Sequence, residues 1–167
     1  LVKRITRSRW SHASIYVGPL DDGSDPLCIV EADIAEGVRA IRLSEFDALR
    51  VQVLRPRNLN DTERSRLADW VVSRIGSEYD LAYAWVLGRD LLRRRWRTLS
   101  RSSSRVIANS ATRFICCSLL AHAFALIGYP IEPGPVGIGL AATLDYGSLT
   151  PGDFEHAAIF DVLHPTN

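Results

Sequence analysis

The segment RFICCSLLAHAFALIG, residues 113–128, constrains the fold most, because it predicts an amphipathic helix that must lie against a core. Gly128 is expected to end this helix, and Pro130 follows just beyond it. The pattern places Cys116 in the first turn and directs it toward the interior. The apolar positions recur at three- and four-residue spacing: Cys116, Leu119, Leu120, Ala123, Phe124 and Ile127.

Alternating residues near the start of the chain predict β-structure. Residues 12–17, HASIYV, place His12, Ser14 and Tyr16 on one face of a strand. Further strands are expected at 27–32, 38–43 and 51–54, so the first third of the chain predicts an antiparallel meander.

Helical signals follow the meander. Asn60 or Asp61 can cap a helix that runs to about Ile75, before Gly76. Another helix is expected over residues 80–92, and SLTPGDFEHAAIFDVL, residues 148–163, is expected to add a closing strand. We therefore predict an α+β fold, an antiparallel sheet or small barrel packed against helices.

The composition indicates one soluble globular domain over residues 1–167. Hydrophobic residues make up 47% of the chain and the net charge is +1, which gives no reason to expect a nucleic-acid partner. No stretch reaches the roughly 20 apolar residues that a bilayer-spanning helix needs. The compartment and the oligomeric state do not follow from the sequence; a cytoplasmic domain and one attached to an envelope anchor are both compatible with it.

The three cysteines, Cys28, Cys116 and Cys117, do not form a disulfide framework. An odd count with two adjacent thiols is typical of a reducing compartment or of a reactive thiol. No spaced pair of cysteines or histidines resembles a four-ligand zinc site, so we expect neither a metal nor another cofactor.

An arginine-rich stretch spans residues 89–105, with seven arginines against the single acidic residue Asp90. A solvated loop is the plainer interpretation. The alternative is a patch that contacts an anionic membrane surface or an acidic partner.

The first two strands place a histidine beside a carboxylate. If Val17 and Leu27 flank the turn, paired residue numbers sum to about 43 or 44, so His12 faces Glu31 or its immediate neighbour. Directly opposed residues have Cβ atoms roughly 5 Å apart, which lets a carboxylate orient an imidazole. A cysteine at a helix start is favoured as a thiolate, and an imidazole can take its proton. Contact between Cys116 and His12 depends on the tertiary fold.

Each of these residues also has a plainer interpretation. His12 could be a strand-end histidine, Glu31 a solvated carboxylate and Cys116 a small core residue. His156 is the rival candidate for the base. Histidine 122 lies about 120° around the helix from Cys116 and is excluded as its base, whereas histidine 164 is expected to be exposed.

Several segments together resemble the permuted papain-like enzymes of the NlpC superfamily, in particular the YiiX-like group. The resemblance runs from about Arg9 to Phe160, and in that group a histidine, an acidic or polar residue and a cysteine follow in this order. The segments that carry it are SHASIYVG (11–18), CIVEA (28–32), GSEYDLAYAW (76–85), RFICCSLLAHAF (113–124) and SLTPGDF (148–154).

The resemblance implies a permuted papain-like fold and a Cys-His-Glu triad formed by Cys116, His12 and Glu31. Aligning the Leu-Leu pair selects Cys116, whereas aligning Cys-Ser literally selects Cys117; we prefer Cys116 because the helical stripe agrees with it. Tyr79 matches an aromatic residue near the pocket in similar proteins and is a candidate substrate-binding residue. The Gly-Asp strand that usually precedes the histidine strand is absent or degenerate here, so an edge of the barrel is expected to be incomplete.

Three functions are compatible with this sequence. The first is a cysteine hydrolase that cleaves amide bonds, with cell-wall peptides as one substrate class. The second is a lipid-directed acyl hydrolase or acyltransferase of the lecithin:retinol type, which the arginine-rich stretch and the apolar segment GPVGIGLAATL (134–144) would serve. The third is a catalytically silent binding module, which predicts ordinary reactivity for Cys116.

Overall fold

The computed structural model describes residues 8–79, 113–131 and 149–163. In chain order, the strands are β1 (Ile15–Pro19), β2 (Leu27–Asp33), β3 (Gly37–Arg42), β4 (Val53–Pro56), β5 (Glu78–Tyr79), β6 (Arg113–Phe114) and β7 (Phe160–Leu163). The helices are α1 (Asp61–Val72), α2 (Cys116–Leu126) and α3 (Pro151–His156), with a short 3₁₀ helix at Leu43–Phe46. This is the predicted α+β arrangement.

The meander is confirmed for its first three strands, which form an antiparallel sheet in the order β1-β2-β3. The expectation that the fourth strand continues the meander was wrong. The 3₁₀ helix follows β3 directly, and β4 instead pairs antiparallel with the closing strand β7. The short strands β5 and β6 pair in parallel.

The start of the first strand was also placed too early. The predicted strand begins at His12, whereas β1 begins at Ile15, so His12 lies in the segment just before the strand. An irregularity between Tyr16 and Gly18 shifts the register of β1 against β2 by one residue. Gly18 has a φ of 89°, a conformation that glycine adopts without strain.

Helix α1 begins at the predicted cap. The side chain of Asn60 accepts a hydrogen bond from the Glu63 amide at 2.9 Å, and the Glu63 carboxylate accepts from the Asn60 amide at 2.9 Å. This reciprocal capping satisfies two amides that lack partners within the helix. The helix ends at Val72, and the turn that follows runs to Gly76, which has a φ of 88°.

Helix α3 is an element that the sequence interpretation missed. Its start is built by Asp153, whose carboxylate accepts hydrogen bonds from the amide and hydroxyl of Thr150 at 2.7 and 2.8 Å. Pro151 occupies the first turn, where its missing amide hydrogen costs nothing. The T-P-x-D pattern at residues 150–153 is therefore the signal of a capped helix start, in a segment for which only a strand is predicted.

The described residues share one buried core, in which α2 packs against α1 and against β2 of the sheet. Leu119 of α2, Val30 of β2 and Val71 of α1 are at most 1% exposed. Phe124 meets Phe160 edge to face, with ring centroids 5.2 Å apart. Burial of α2 fixes the position of its first turn against the sheet. That residues 1–167 form one domain stays a prediction.

Some expectations fall outside the described residues. They are the helix at 80–92, the arginine-rich stretch at 89–105, the apolar segment at 134–144 and the exposure of histidine 164. In the three described ranges, none of the helices has the length and apolar character that crossing a bilayer requires.

Candidate active site

His12 and Glu31 are in direct contact. The His12 Nε2 and Glu31 Oε2 atoms lie 2.8 Å apart. The His12 side chain is 38% exposed, whereas that of Glu31 is 8% exposed. The imidazole is therefore held from inside the protein by a buried carboxylate while its other edge stays accessible.

The contact arises from a register that differs from the predicted one. Ile15 pairs with Val30, so paired residue numbers sum to 45 rather than 43 or 44. The ladder ends at Ile15, but the same register, if extended, would set Ser14 across from Glu31 and His12 diagonal to Glu31 on the same face. Diagonal neighbours in a sheet remain within reach of long side chains.

The second oxygen of Glu31 is bound by Arg39. The Arg39 Nε and Nη2 atoms both donate to Glu31 Oε1, at 3.0 and 2.9 Å. The two residues are direct partners in the β2–β3 register. Each oxygen of this buried carboxylate therefore accepts from a different side chain, which satisfies a charge that would otherwise be costly to bury.

Cys116 is the first residue of α2 and is half-buried against the core. The residue before it, Ile115, has a side chain without a hydrogen-bond acceptor, and the first bond within the helix runs from the Leu119 amide to the Ile115 carbonyl, at 3.0 Å. The amides of the first turn therefore point beyond the helix end, where they favour negative charge. Ser118 steadies this end by accepting from the Ile115 amide at 3.0 Å.

The tertiary fold brings the Cys116 thiol close to the His12 imidazole, near enough for each to shift the pKa of the other. Because His12 Nε2 faces Glu31, Nδ1 is the ring nitrogen left for the sulfur. The amide of Ala13 also lies near the Cys116 sulfur and helps to lower its pKa. His12 and its neighbour thus approach the helix start together, one with a side chain and one with the backbone.

The negative charge of Cys116 and the positive charge of His12 stabilise each other. Burial lowers the pKa of His12, but the hydrogen bonds to Cys116 and Glu31 outweigh it and raise that pKa to about 10. A hydrogen bond from Cys117 overcomes burial and, together with His12 and the Ala13 amide, holds the pKa of Cys116 well below its ordinary value. Hydrogen bonding to His12 likewise lowers the pKa of Glu31 against burial, with a further contribution from Arg39. The arrangement favours a thiolate beside an imidazolium.

Cys117 is buried in the core, with its sulfur 3.8 Å from that of Cys116. Its hydrogen bond to Cys116 and its burial raise the pKa of the Cys117 thiol well above the usual value, and the charge of Asp153 adds to this. Cys117 therefore remains a neutral thiol that donates toward its neighbour.

The other candidate residues lie apart from this contact. His156 is exposed and its Nδ1 lies 2.7 Å from the Gly152 carbonyl in its own helix. His122, which was excluded as the base, is exposed and bonds the Ser118 carbonyl at 2.7 Å. Cys28 is buried at the β2–β3 pair, where it contacts Arg42.

Tyr79 is described only by its backbone. Its backbone pairs with that of Phe114 in the parallel β5–β6 ladder. Phe114 lies two residues before Cys116 in the sequence. Its side chain lies outside the described part of the structure, so its role in binding substrate stays a prediction.

The segment that carries His12 is tied to α3 by Glu155. The Glu155 carboxylate accepts from Arg9 Nη2 at 2.6 Å and from Trp10 Nε1 at 3.0 Å. The same segment approaches the helix so closely that a Cβ atom on Gly152 would lie 3.2 Å from the Ser8 hydroxyl oxygen. These contacts position a histidine that no strand ladder holds.

Sequence reasoning missed Arg39, the Ala13 amide and Glu155. Arg39 could have been found by applying the hairpin arithmetic to the second turn, since residues 33 and 37 flank it and 31 then faces 39. The other two contacts depend on segments far apart in sequence. Among the described residues, no group of three His, Cys, Asp or Glu side chains gathers as a metal site would require.

Residues 1–90 match the family described as permuted papain-like amidase enzyme, YaeF/YiiX, C92 family. Comparison with curated proteins gives no match. The family match includes His12 and Glu31, whereas Cys116 lies beyond it. Because the match covers more than half of the 167 residues, the chain belongs to the YaeF/YiiX family of permuted papain-like amidases.

Proposed function

We propose that this protein is a cysteine hydrolase that cleaves amide bonds through an acyl-enzyme formed on Cys116. The observation that carries the proposal is the chain of contacts from the Cys116 sulfur through the His12 imidazole to the buried Glu31 carboxylate. A nucleophile, a base and an orienting group in this order are the parts that acyl transfer requires.

The reaction begins when the Cys116 thiolate attacks the carbonyl carbon and a C–S bond forms. The resulting oxyanion is stabilised by the backbone amide of Cys116 at the helix start. His12, as imidazolium, donates its proton to the leaving nitrogen, the C–N bond breaks and an amine departs. Water then attacks the thioester while His12 accepts its proton; the C–S bond breaks, releasing the acid and restoring the thiolate.

The roles of the remaining residues follow from their positions. Glu31 fixes the tautomer and orientation of His12 and stabilises its positive charge. Cys117 donates to the Cys116 thiolate but is too deeply buried to react itself, which supports Cys116 as the nucleophile. Cell-wall peptides are the substrate class that we propose to test first.

The test is to incubate the protein with two sets of substrates, peptide amides of cell-wall type and fatty acyl esters, and to follow product release and protein mass. We expect amide cleavage, with a transient mass increase that maps to the peptide containing Cys116. Cys116→Ala should abolish both the cleavage and the mass increase. The matched variant Cys28→Ala, which removes a thiol away from the site, should retain both.

Other outcomes would contradict the proposal in different ways. Turnover of acyl esters alone would replace the amidase proposal with a lipid-directed acyl hydrolase or acyltransferase. Retention of hydrolysis by Cys116→Ala would refute Cys116 as the nucleophile. Absence of any acylation together with ordinary thiol reactivity would favour a silent binding module.

A further inference from the structure

We propose that Arg39 is a positioning residue for the reaction, holding the Glu31 carboxylate in the orientation and ionised state that His12 needs. The inference rests on the proposed function of Cys116, His12 and Glu31. It extends the chain of contacts by one member, which acts through Glu31 and does not touch the reacting atoms.

The geometry of Glu31 divides its two oxygens between two partners. Arg39 donates twice to Oε1, at 3.0 and 2.9 Å, which leaves Oε2 to meet His12 at 2.8 Å. Rotation of the carboxylate would break both Arg39 contacts at once. The guanidinium therefore fixes the position of Oε1 and, with it, the direction in which Oε2 faces the imidazole.

Arg39 is itself fixed by carboxylates on its outer side. Its Nη1 atom donates to Glu36 Oε1 at 2.6 Å, and its Nη2 atom lies 3.9 Å from Asp33 Oδ2. The hairpin between β2 and β3 thus holds the guanidinium from the solvent side while Glu31 holds it from the interior. Because the Arg39 guanidinium is held on both sides, it can in turn hold the Glu31 carboxylate in place.

The charged groups around this chain of contacts determine its pH dependence. Glu31 faces His12 and Arg39, and Arg39 faces Glu31, Glu36 and Asp33. Beyond them, His12 faces Cys116, while the charge of Asp33 also acts on His12 and that of Asp153 acts on Cys117. Without Arg39, one oxygen of a buried carboxylate loses its donors, and a proton on Glu31 becomes easier to add.

The experiment measures the rate of Cys116 alkylation by iodoacetamide between pH 4 and 10, with mass mapping of the modified cysteine. In Arg39→Met, we expect the midpoint of the acid limb to move upward by about one pH unit, because Glu31 protonates sooner and ceases to support the imidazolium. Arg39→Lys keeps the charge but loses the paired donors, so its midpoint should lie between those of Arg39→Met and the wild type.

The matched control is Arg42→Gln, on the same strand. Arg42 pairs with Asp21, 2.6 Å away, and does not contact Glu31, so this variant should keep the wild-type midpoint. Thermal unfolding of every variant identifies the loss of the native fold. A purely structural Arg39 would lower the melting temperature and the amount of native protein without moving the midpoint.

A double variant tests whether Arg39 acts through Glu31. Adding Arg39→Met to Glu31→Gln should move the midpoint no further upward, since the carboxylate is already gone. A midpoint that is unchanged or lower in Arg39→Met, or that rises again in the double variant, would overturn the inference. A wild-type Cys116 of ordinary reactivity would instead refute the proposed function, so the two failures are distinguishable.

Discussion

Replacing Glu31 by glutamine tests how the buried carboxylate controls His12. Glutamine has nearly the same shape but one oxygen, for which Arg39 and His12 compete. Arg39 offers a charged pair of donors, at 3.0 and 2.9 Å, so the carbonyl oxygen should remain with Arg39. The amide nitrogen then faces His12 Nε2 and donates to it. This forces the neutral tautomer with its proton on Nδ1, toward the sulfur.

The magnitude follows from the loss of the imidazolium. A thiol returned to a pKa of roughly 8.5 is only about 0.3% ionised at pH 6, a loss of roughly 300-fold from a fully ionised thiolate. The more basic thiolate is intrinsically more nucleophilic, which recovers part of this loss. We therefore expect alkylation of Cys116 at pH 6 to fall by about tenfold. Turnover should fall further, by about 10²–10⁴, since a wrong tautomer also blocks proton transfer.

The assay combines alkylation at pH 6 with nitrogen NMR of the His12 ring, which distinguishes the two tautomers and the imidazolium. Glu45→Gln is the control, because Glu45 is exposed in the 3₁₀ helix, where its carboxylate accepts from the Arg42 amide at 3.1 Å. It should react like the wild type. Wild-type alkylation at pH 6 in Glu31→Gln, with His12 still an imidazolium, would refute the reasoning.

Three further predictions concern the surroundings of the site. Gly37→Ala should lower the free energy of unfolding in urea by about 2 kcal/mol more than Gly76→Ala. Both glycines have a positive φ, but only at Gly37 would the added Cβ collide with a backbone oxygen, that of Ser77. Equal losses of stability in the two variants would contradict this. His156→Ala should leave thiol alkylation at pH 6 unchanged, whereas His12→Ala should lower it about tenfold; the reverse would make His156 the base. Cys117, 2% exposed, should be alkylated only after denaturation, and native labelling would contradict its burial.

Local patterns were sufficient to predict the elements that carry the site. The apolar stripe of α2 and its end near Gly128, which has a φ of 83°, followed from helical spacing and glycine chemistry. The nearness of His12 and Glu31 followed from hairpin arithmetic, although an irregularity in β1 moved the register. Errors of one or two residues still left the two side chains on one face within reach of each other.

The contacts that join distant segments were beyond such reasoning. Cys116 and His12 are more than 100 residues apart, and their approach depends on how α2 packs against the sheet. The Ala13 amide is invisible in a sequence pattern because every residue but proline has one. Arg39 is different, because its pairing with Glu31 follows from the turn between residues 33 and 37 by the same arithmetic that places His12 near Glu31.

The measurement that tests the central claim most directly is the pH dependence of iodoacetamide alkylation in the wild-type protein, with mass mapping of Cys28, Cys116 and Cys117. The contacts of Cys116 predict that it alone reacts fast below pH 7, as a thiolate paired with an imidazolium that keeps its proton up to about pH 10. His12→Ala should remove that reactivity. If all three thiols react alike, with midpoints near an ordinary pKa of roughly 8.5, Cys116 is not an activated nucleophile.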